Sequence, residues 1–301
     1  MRGEELISTR PPSLCESFRD LARWTANKLN AAASLGVSFN EETVTESLLL
    51  KLAQSQNSQK FKIRSWSKFD EGVGTAATGG LPTGADWDFF FADWTGVGIT
   101  VRIQAKRLYP NGRYESLDGG GQQIRDLRNN CGYALPIYVF YNDPQSHWPT
   151  GSWSCQPNCT PRFWGLSAWG CSFAPVSGIP PMKKPRPSDI QSMEPWHCLV
   201  CPCPIKAATS ATLPHRVAGA LKIAYGLLSD SDDTRFLDAP DLTFEPNQIW
   251  PHWARRLQES AETFPQDAST ESSGRLLDGY LTEHGLKGVA LVQQLLPDEE
   301  G

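Results

Sequence analysis

The sequence predicts an α/β fold in which helices pack beside a central sheet, and three observations predict it. Apolar residues recur at helical spacing in two segments before residue 55. Residues 84–107, GADWDFFFADWTGVGITVRIQAKR, alternate between apolar and polar side chains like two strands joined by a short turn. Residues 135–142, LPIYVFYN, form a continuous apolar run typical of a strand that is buried on both faces.

The first helix is predicted over residues 13–35. Ser13 and Glu16 have the spacing of a capping box, and Gly36 is suited to end the helix. We expect only a packing role for this helix.

The second helix is predicted over residues 39–54, entered through Ser38 or Asn40. On a helical projection Glu46 falls inside a broad apolar arc made by Val44, Leu48, Leu49, Leu50, Leu52 and Ala53. A carboxylate that faces a core needs a cationic partner. Glu46 is therefore either half of a structural salt bridge or a metal ligand, and Glu42, one turn earlier, is the second candidate.

A basic strand is predicted over residues 59–68. Lys60, Lys62 and Arg64 occupy one of its faces, and Arg107 follows the second strand of the hairpin. Clustered cations of this kind are suited to contact phosphates, so these four residues are candidates for binding nucleic acid.

The hairpin at residues 84–107 concentrates polar side chains among bulky apolar ones. Asp86 and Asp88 share one face of the first strand, and Gln104 and Lys106 share one face of the second. Antiparallel pairing would bring two carboxylates, an amide and an ammonium to one patch, whereas the alternative is a hairpin whose outer face is merely solvated. Gly84, just before the first Asp, indicates that another backbone approaches closely there.

A third helix is predicted over residues 121–131, with Ile124, Leu127 and Cys131 in its apolar stripe and Gln123 at the edge of that stripe. The strand at 135–142 follows it. From residue 39 onward the predicted order is therefore helix, three strands, helix, strand.

The motif G-A-D-W-D followed by Q-A-K, in this order of elements, resembles the PD-(D/E)xK superfamily of restriction-endonuclease-like nucleases. In that superfamily an Asp begins one strand, and a Glu or Gln stands two residues before a Lys in the next. The resemblance covers residues 39–142, about a third of the chain. It implies an αβββαβ core with a mixed central sheet flanked by helices.

The resemblance also implies a catalytic set of Asp86, Gln104, Lys106 and Glu46. Mg²⁺ or Mn²⁺ would be held by Asp86, Gln104, the backbone carbonyl of Ala105 and Glu46. Lys106 would orient the attacking water and neutralise developing charge.

Gln104 departs from the common acidic residue, because an amide oxygen ligates a metal without bringing negative charge. We therefore expect weaker metal affinity and one-metal chemistry. Asp88, Gln123 and Glu42 are secondary candidates for the same site.

Residues 143–301 differ in character from residues 1–142 and are predicted to pack on that core as one domain. Residues 143–212 are rich in Trp, Pro and Cys, and residues 214–228 predict a helix, followed by an acidic stretch with one or two more helices. Buried free thiols are the favoured interpretation of the cysteines, and the alternative is a structural zinc site drawn from Cys155, Cys159, Cys171, Cys198 and Cys201.

Composition limits the classes of partner. A net charge of −5 over 301 residues disfavours a protein that coats nucleic acid through bulk electrostatics. No run of about 18 apolar residues occurs, and the N-terminal residues contain no apolar signal segment, so we expect a cytoplasmic protein with no membrane partner. In that compartment the eight cysteines are expected to be reduced.

The sequence thus favours a metal-dependent nuclease that hydrolyses phosphodiester bonds, with DNA as the favoured substrate. The superfamily further implies a role in bacterial defence against foreign DNA. One alternative is a catalytically decayed nuclease fold that binds nucleic acid or acts as a scaffold. Another is a zinc-stabilised interaction module that rests on residues 155–203.

Overall fold

The computed structural model describes residues 13–37, 39–54, 61–65, 84–115, 117, 121–143, 165–202, 211–226, 244–259, 277 and 279–294. Its helices include α1 (Leu14–Ser34), α2 (Glu41–Gln54), α3 (Gln122–Asn129), α4 (Leu213–Ala224) and α5 (His252–Glu259). The strands are β1 (Phe61–Ser65), β2 (Trp87–Ala92), β3 (Gly98–Arg107), β4 (Leu135–Tyr141), β5 (Cys171–Pro175), β6 (Glu194–Pro195) and β7 (Gly288–Gln293). Residues 279–284 are also helical.

The local signals at the helix starts are confirmed. The Ser13 hydroxyl accepts a hydrogen bond from the Glu16 N–H, and the Glu16 carboxylate accepts one from the Ser13 N–H, which completes the predicted capping box of α1. Asn40 caps α2, because its side-chain oxygen accepts a hydrogen bond from the Thr43 N–H at 3.1 Å.

The seven strands form one mixed sheet in the order β1-β7-β2-β3-β4-β5-β6. The predicted hairpin is confirmed as an antiparallel β2–β3 pair in which Trp87 lies opposite Ile103. β3 and β4 are parallel, and β7 is parallel to β2. The predicted α/β class with a mixed sheet and flanking helices is therefore confirmed.

Apolar side chains cover both faces of the sheet. One cluster joins α1, α2 and α4 to the odd-numbered residues of β2 and β3, and its members include Phe18, Leu48, Leu221, Trp87, Phe89 and Ile103. The other joins α5 and the helical residues near 281 to the opposite face, and its members include Phe90, Tyr138, Phe140, Trp253, Leu281 and Leu291. Because the sheet is buried on both sides, polar side chains within it must find partners inside the protein.

β7 corrects the prediction for the C-terminal stretch, which expected helices only. Residues 288–293 form a strand that lies between β1 and β2, so these two strands of the predicted core are not neighbours. The segment Gly288-Val-Ala-Leu-Val is an apolar run of the kind that correctly indicated β4. None of the helices in the described segments is long and apolar enough to span a membrane.

Candidate functional site

Residues from three strand ends and from the starts of two helices, α2 and α3, meet around Asp86. The Asp86 N–H donates to the Ile103 carbonyl at 2.8 Å, and the Asp86 carbonyl accepts from the Lys287 N–H at 2.7 Å. Since β7 runs parallel to β2, Asp86 and Lys287 stand side by side where these strands begin. The antiparallel β3 brings Gln104 to the same point. We call Asp86, Gln104, Lys106, Lys287, Glu41, Glu42 and Gln123 the Asp86 cluster.

Asp86 and Gln104 are in direct contact, as predicted. Oδ2 of the buried Asp86 accepts hydrogen bonds from Gln104 Nε2 at 2.5 Å and from the Ala105 N–H at 2.8 Å. Gln104 Nε2 also donates to the Ala105 carbonyl at 3.0 Å. The Gln104 amide therefore lies within hydrogen-bond distance of two other groups of the predicted metal site, the Asp86 carboxylate and the Ala105 carbonyl.

Gln123 joins this group from α3. Its Nε2 donates to Gln104 Oε1 at 2.9 Å. Gly84 allows α3 to come this close: its φ is +67°, and a Cβ built there would lie 2.6 Å from the Gln123 carbonyl oxygen. The predicted close approach of a backbone at Gly84 is confirmed.

Lys287 is one of two residues of the cluster, with Glu41, that the sequence did not predict. Its Nζ lies 2.9 Å from Asp86 Oδ1 and 3.5 Å from Glu42 Oε1. Burial disfavours the charged form of Lys287, but the neighbouring Asp86, Glu42 and Glu41 carboxylates outweigh it and hold its pKa above the usual range. Glu42, the second candidate for the helix acid, thus belongs to the cluster.

Glu41 connects the cluster to Lys106. Its Oε1 lies 3.9 Å from Lys106 Nζ, and its Oε2 accepts a hydrogen bond from the Arg107 N–H at 3.0 Å. Burial raises the pKa of Glu41 to about 7; the Asp86 charge adds to that rise, and Lys106 opposes it. Glu41 was missed although it stands three residues before Val44, on the stripe that the helix buries.

Glu46 does not join the cluster, which corrects the prediction that it faces the core. The side chain is exposed, and Leu50, on the predicted arc, is 58% exposed. The buried stripe of α2 instead runs through Val44, Leu48 and Leu52. The predicted apolar arc is wider than the buried stripe because it includes the exposed Leu50.

Asp88 also lies outside the Asp86 cluster, which corrects the expectation that the two aspartates share one patch. Its carboxylate accepts two hydrogen bonds from Arg102, at 2.8 and 2.7 Å, and one from the Tyr280 hydroxyl at 2.8 Å. Burial disfavours the Arg102 charge, but the bonds to Asp88 outweigh it and raise the Arg102 pKa. We call Asp88, Arg102 and Tyr280 the Asp88 cluster.

The predicted phosphate-binding cations have other contacts where they are described. Lys62 Nζ donates to the Gln258 carbonyl at 2.8 Å. The buried Arg107 guanidinium donates to the Phe39 carbonyl and lies over the Tyr109 ring at 4.9 Å. Lys60 and the side chain of Arg64 lie outside the described residues. Lys62 and Arg107 are thus each bound to a carbonyl oxygen of the protein, and their role toward a phosphate stays a prediction.

The cysteines that the structure describes are buried free thiols. Cys171 Sγ donates to the Thr25 hydroxyl at 3.3 Å, and burial raises the Cys171 pKa to about 12. Cys198 and Cys201 are likewise buried and form no disulfide with a described cysteine, whereas Cys155 and Cys159 lie outside the described residues. Within the described segments, no three His, Cys, Asp or Glu residues are grouped so as to hold a metal ion.

The donor chemistry at Asp86 nevertheless fits Mg²⁺, which takes hard oxygen ligands and usually only one or two carboxylates. Asp86, Glu42, the Ala105 carbonyl and the Gln104 amide offer such oxygens. The orientation of the two amides decides whether Gln104 offers an oxygen to a metal. Gln104 turns its nitrogen to Asp86, and the buried Oε1 of Gln123 has no hydrogen-bond partner among the described residues. Rotating both side-chain amides by half a turn would place Gln104 Oε1 beside Asp86 and let Gln123 Oε1 accept a hydrogen bond from Gln104 Nε2.

Comparison with known proteins gives a family and no activity. No curated protein matches the chain, and no solved structure matches it. Residues 14–295 match a protein family of unknown function, DUF6615. Because the match spans most of the 301 residues, the chain belongs to that family.

Proposed function

We propose that this protein is a metal-dependent nuclease of the PD-(D/E)xK type, acting on phosphodiester bonds of DNA, with its site at the Asp86 cluster. The observation that carries the proposal is the 2.5 Å contact between the side chains of Asp86 and Gln104, beside carboxylates from α2. Two oxygens that share a cation at about 2.1 Å cannot lie much more than about 4 Å apart. The 2.5 Å contact joins Gln104 Nε2 to Asp86 Oδ2, and reversing the Gln104 amide would put its Oε1 in that place, within the limit.

The ligands in this proposal are Asp86, Glu42, the Ala105 carbonyl and the Gln104 amide oxygen. A bound Mg²⁺ supplies Lewis acidity toward water and toward the phosphate oxygens. With both amides reversed, Gln123 Oε1 would accept a hydrogen bond from Gln104 Nε2 and hold the Gln104 oxygen toward the metal. Glu42 takes the role in the site that the resemblance had given to Glu46.

Lys106 acts on the attacking water and on the charge that grows at the phosphorus. Its ammonium is held by Glu41, whose other oxygen is fixed by the Arg107 N–H. An ammonium placed this way orients a water through one hydrogen bond and neutralises negative charge in the transition state. We therefore assign Lys106 a catalytic role and Glu41 a positioning role.

A second candidate function is a catalytically decayed nuclease fold that binds nucleic acid or serves as a scaffold. One specific observation favours it: the Lys287 ammonium lies between Asp86 and Glu42, the two carboxylates that would hold the metal. A lysine that permanently replaced the cation would preserve the fold and abolish the chemistry.

A cleavage assay separates the two functions. Supercoiled plasmid, linear duplex, single-stranded DNA and RNA are incubated with the full chain over a series of Mg²⁺ and Mn²⁺ concentrations, with EDTA as the blank. We expect metal-dependent cleavage of DNA that Lys106→Met reduces at least about 100-fold. Binding of DNA without cleavage at any metal concentration would favour the decayed fold.

A further inference from the structure

Lys287 is held in the site by its place at the start of β7, a strand that is paired on both sides. Its N–H donates to the Asp86 carbonyl at 2.7 Å, and the strand that follows it pairs with β2 on one side and β1 on the other. Val289 and Leu291 of that strand are fully buried. The Lys287 backbone therefore cannot move away from Asp86 without breaking the sheet, and only its side chain is free to reorient.

The side chain contacts two carboxylates from different elements. Nζ lies 2.9 Å from Asp86 Oδ1 on the sheet and 3.5 Å from Glu42 Oε1 on α2. Lys287 is 38% exposed, and the Glu42 side chain is 31% exposed. A flexible four-carbon stem on a partly exposed side chain can carry the ammonium from these carboxylates into water when a stronger cation takes its place.

We propose that Lys287 is the resident cation of the Asp86 cluster and that a divalent metal binds by displacing its ammonium. The inference rests on the metal site of the proposed function. The ammonium neutralises the repulsion between Asp86 and Glu42 while no metal is bound. Since an ammonium and a divalent cation repel each other strongly at a few ångströms, both cannot share these two carboxylates. Lys287 thereby weakens metal affinity and sets the concentration at which the site is loaded.

Mn²⁺ binding tests the exchange of the Lys287 ammonium for a metal without any cleavage assay. The binding is measured as the loss of the electron paramagnetic resonance signal of free Mn²⁺. We expect Lys287→Met to lower the Kd for Mn²⁺ at least about tenfold, because it removes the competing charge. Lys287→Arg keeps the charge and should keep the wild-type Kd within about threefold. Lys222→Met is the matched control, because it removes a lysine from an ion pair with Glu245 on another element and should leave Mn²⁺ binding unchanged.

Thermal melts provide a second readout. In EDTA, Lys287→Met should melt below the wild type, because two carboxylates lose their shared cation, and Mn²⁺ should raise its Tm by more than it raises that of the wild type. Lys287→Gln serves the same purpose if the Met variant does not fold. Adding Asp86→Asn to either variant should abolish the tight Mn²⁺ binding.

The outcomes distinguish this inference from the proposed function. If wild type and Lys287→Met bind Mn²⁺ with equal affinity, in an Asp86-dependent manner, the exchange is wrong and the metal site stands. If Lys287→Met binds Mn²⁺ and the wild type binds none at millimolar concentrations, Lys287 permanently takes the place of the metal. That result would overturn both the exchange and the proposed metal-dependent cleavage. If neither binds Mn²⁺, the metal site itself is wrong.

Discussion

Asp86 and Asp88 stand two residues apart in the same hairpin, and their surroundings are opposite. Asp88 is fully buried and receives two hydrogen bonds from one guanidinium, so that one anion meets one cation in matched geometry. Asp86 shares the ammonium of the partly exposed Lys287 with Glu42, and Glu41 adds a third carboxylate nearby. The Asp88 cluster is balanced and closed to water, whereas the Asp86 cluster has excess negative charge and reaches solvent.

This difference separates a structural ion pair from a site suited to chemistry. A closed pair with satisfied hydrogen bonds stabilises the fold only as long as both partners are present. An open group of three acids that shares only two ammonium groups has unused capacity for a cation from solution. Burial of an acidic residue therefore does not identify a site, and the number of carboxylates per cation is the more informative quantity.

The largest expected effect is on stability at the Asp88 cluster. Asp88→Asn should lower the free energy of unfolding by about 3–5 kcal/mol, because it leaves the buried Arg102 charge without its anion. Asp86→Asn should cost only about 1–2 kcal/mol, since Lys287 can turn to Glu42 and to water. Urea unfolding in EDTA measures both values, and equal losses would contradict the comparison.

The next effect concerns the glycine that brings α3 to the Asp86 cluster. Gly84→Ala should destabilise the protein by about 2–4 kcal/mol, because the new Cβ meets the Gln123 carbonyl and the φ is positive. Gly36→Ala is the matched control: its φ of +65° is similar, but no atom lies within 4 Å of the added Cβ. We expect only about 1 kcal/mol there, so equal losses at the two positions would show that the close contact at Gly84 costs nothing.

The pH dependence of the unfolding free energy of the metal-free protein tests whether burial raises the pKa of Glu41. Its pKa in the folded protein is about 7, above the ordinary value of 4.5, so the folded state binds this proton more tightly than the unfolded state. The resulting stability is fully present below pH 4.5 and is lost as the pH rises through 7, by about 2–3 kcal/mol.

Glu41→Gln should remove that loss, and urea unfolding in EDTA between pH 4.5 and 8 measures it. Glu46→Gln, which changes an exposed acid on the same helix, should keep the wild-type pH profile. A Glu41→Gln variant that still loses stability over this range would assign the titration to another group.

Most of the fold around the site was predictable from local pattern. The capping box at Ser13, the alternation in residues 84–107 and the apolar run at 135–142 each encode one element through its own residues. The meeting of Asp86 with Gln104 followed from period-two alternation and antiparallel pairing.

The rest depended on contacts between distant segments. Nothing near Lys287 in the sequence shows that β7 inserts beside β2, about 200 residues earlier in the chain, because pairing partners are chosen by the whole sheet. The choice between Glu42 and Glu46 depended on the phase of one helix, and the exposed Leu50, counted as apolar core, favoured the wrong residue. The ion pair between Arg102 and Asp88 could have been predicted only from the position of Arg102 opposite Asp88 in the hairpin.

The most direct measurement is the rate of metal-dependent plasmid cleavage by Asp86→Asn, compared with wild type and with Glu46→Gln. All three proteins are first shown by thermal melting to be folded at the assay temperature. We expect Asp86→Asn to lose at least about 100-fold in rate at every Mg²⁺ concentration, while Glu46→Gln retains the wild-type rate. Undiminished cleavage by folded Asp86→Asn would contradict the assignment of the site to the Asp86 cluster.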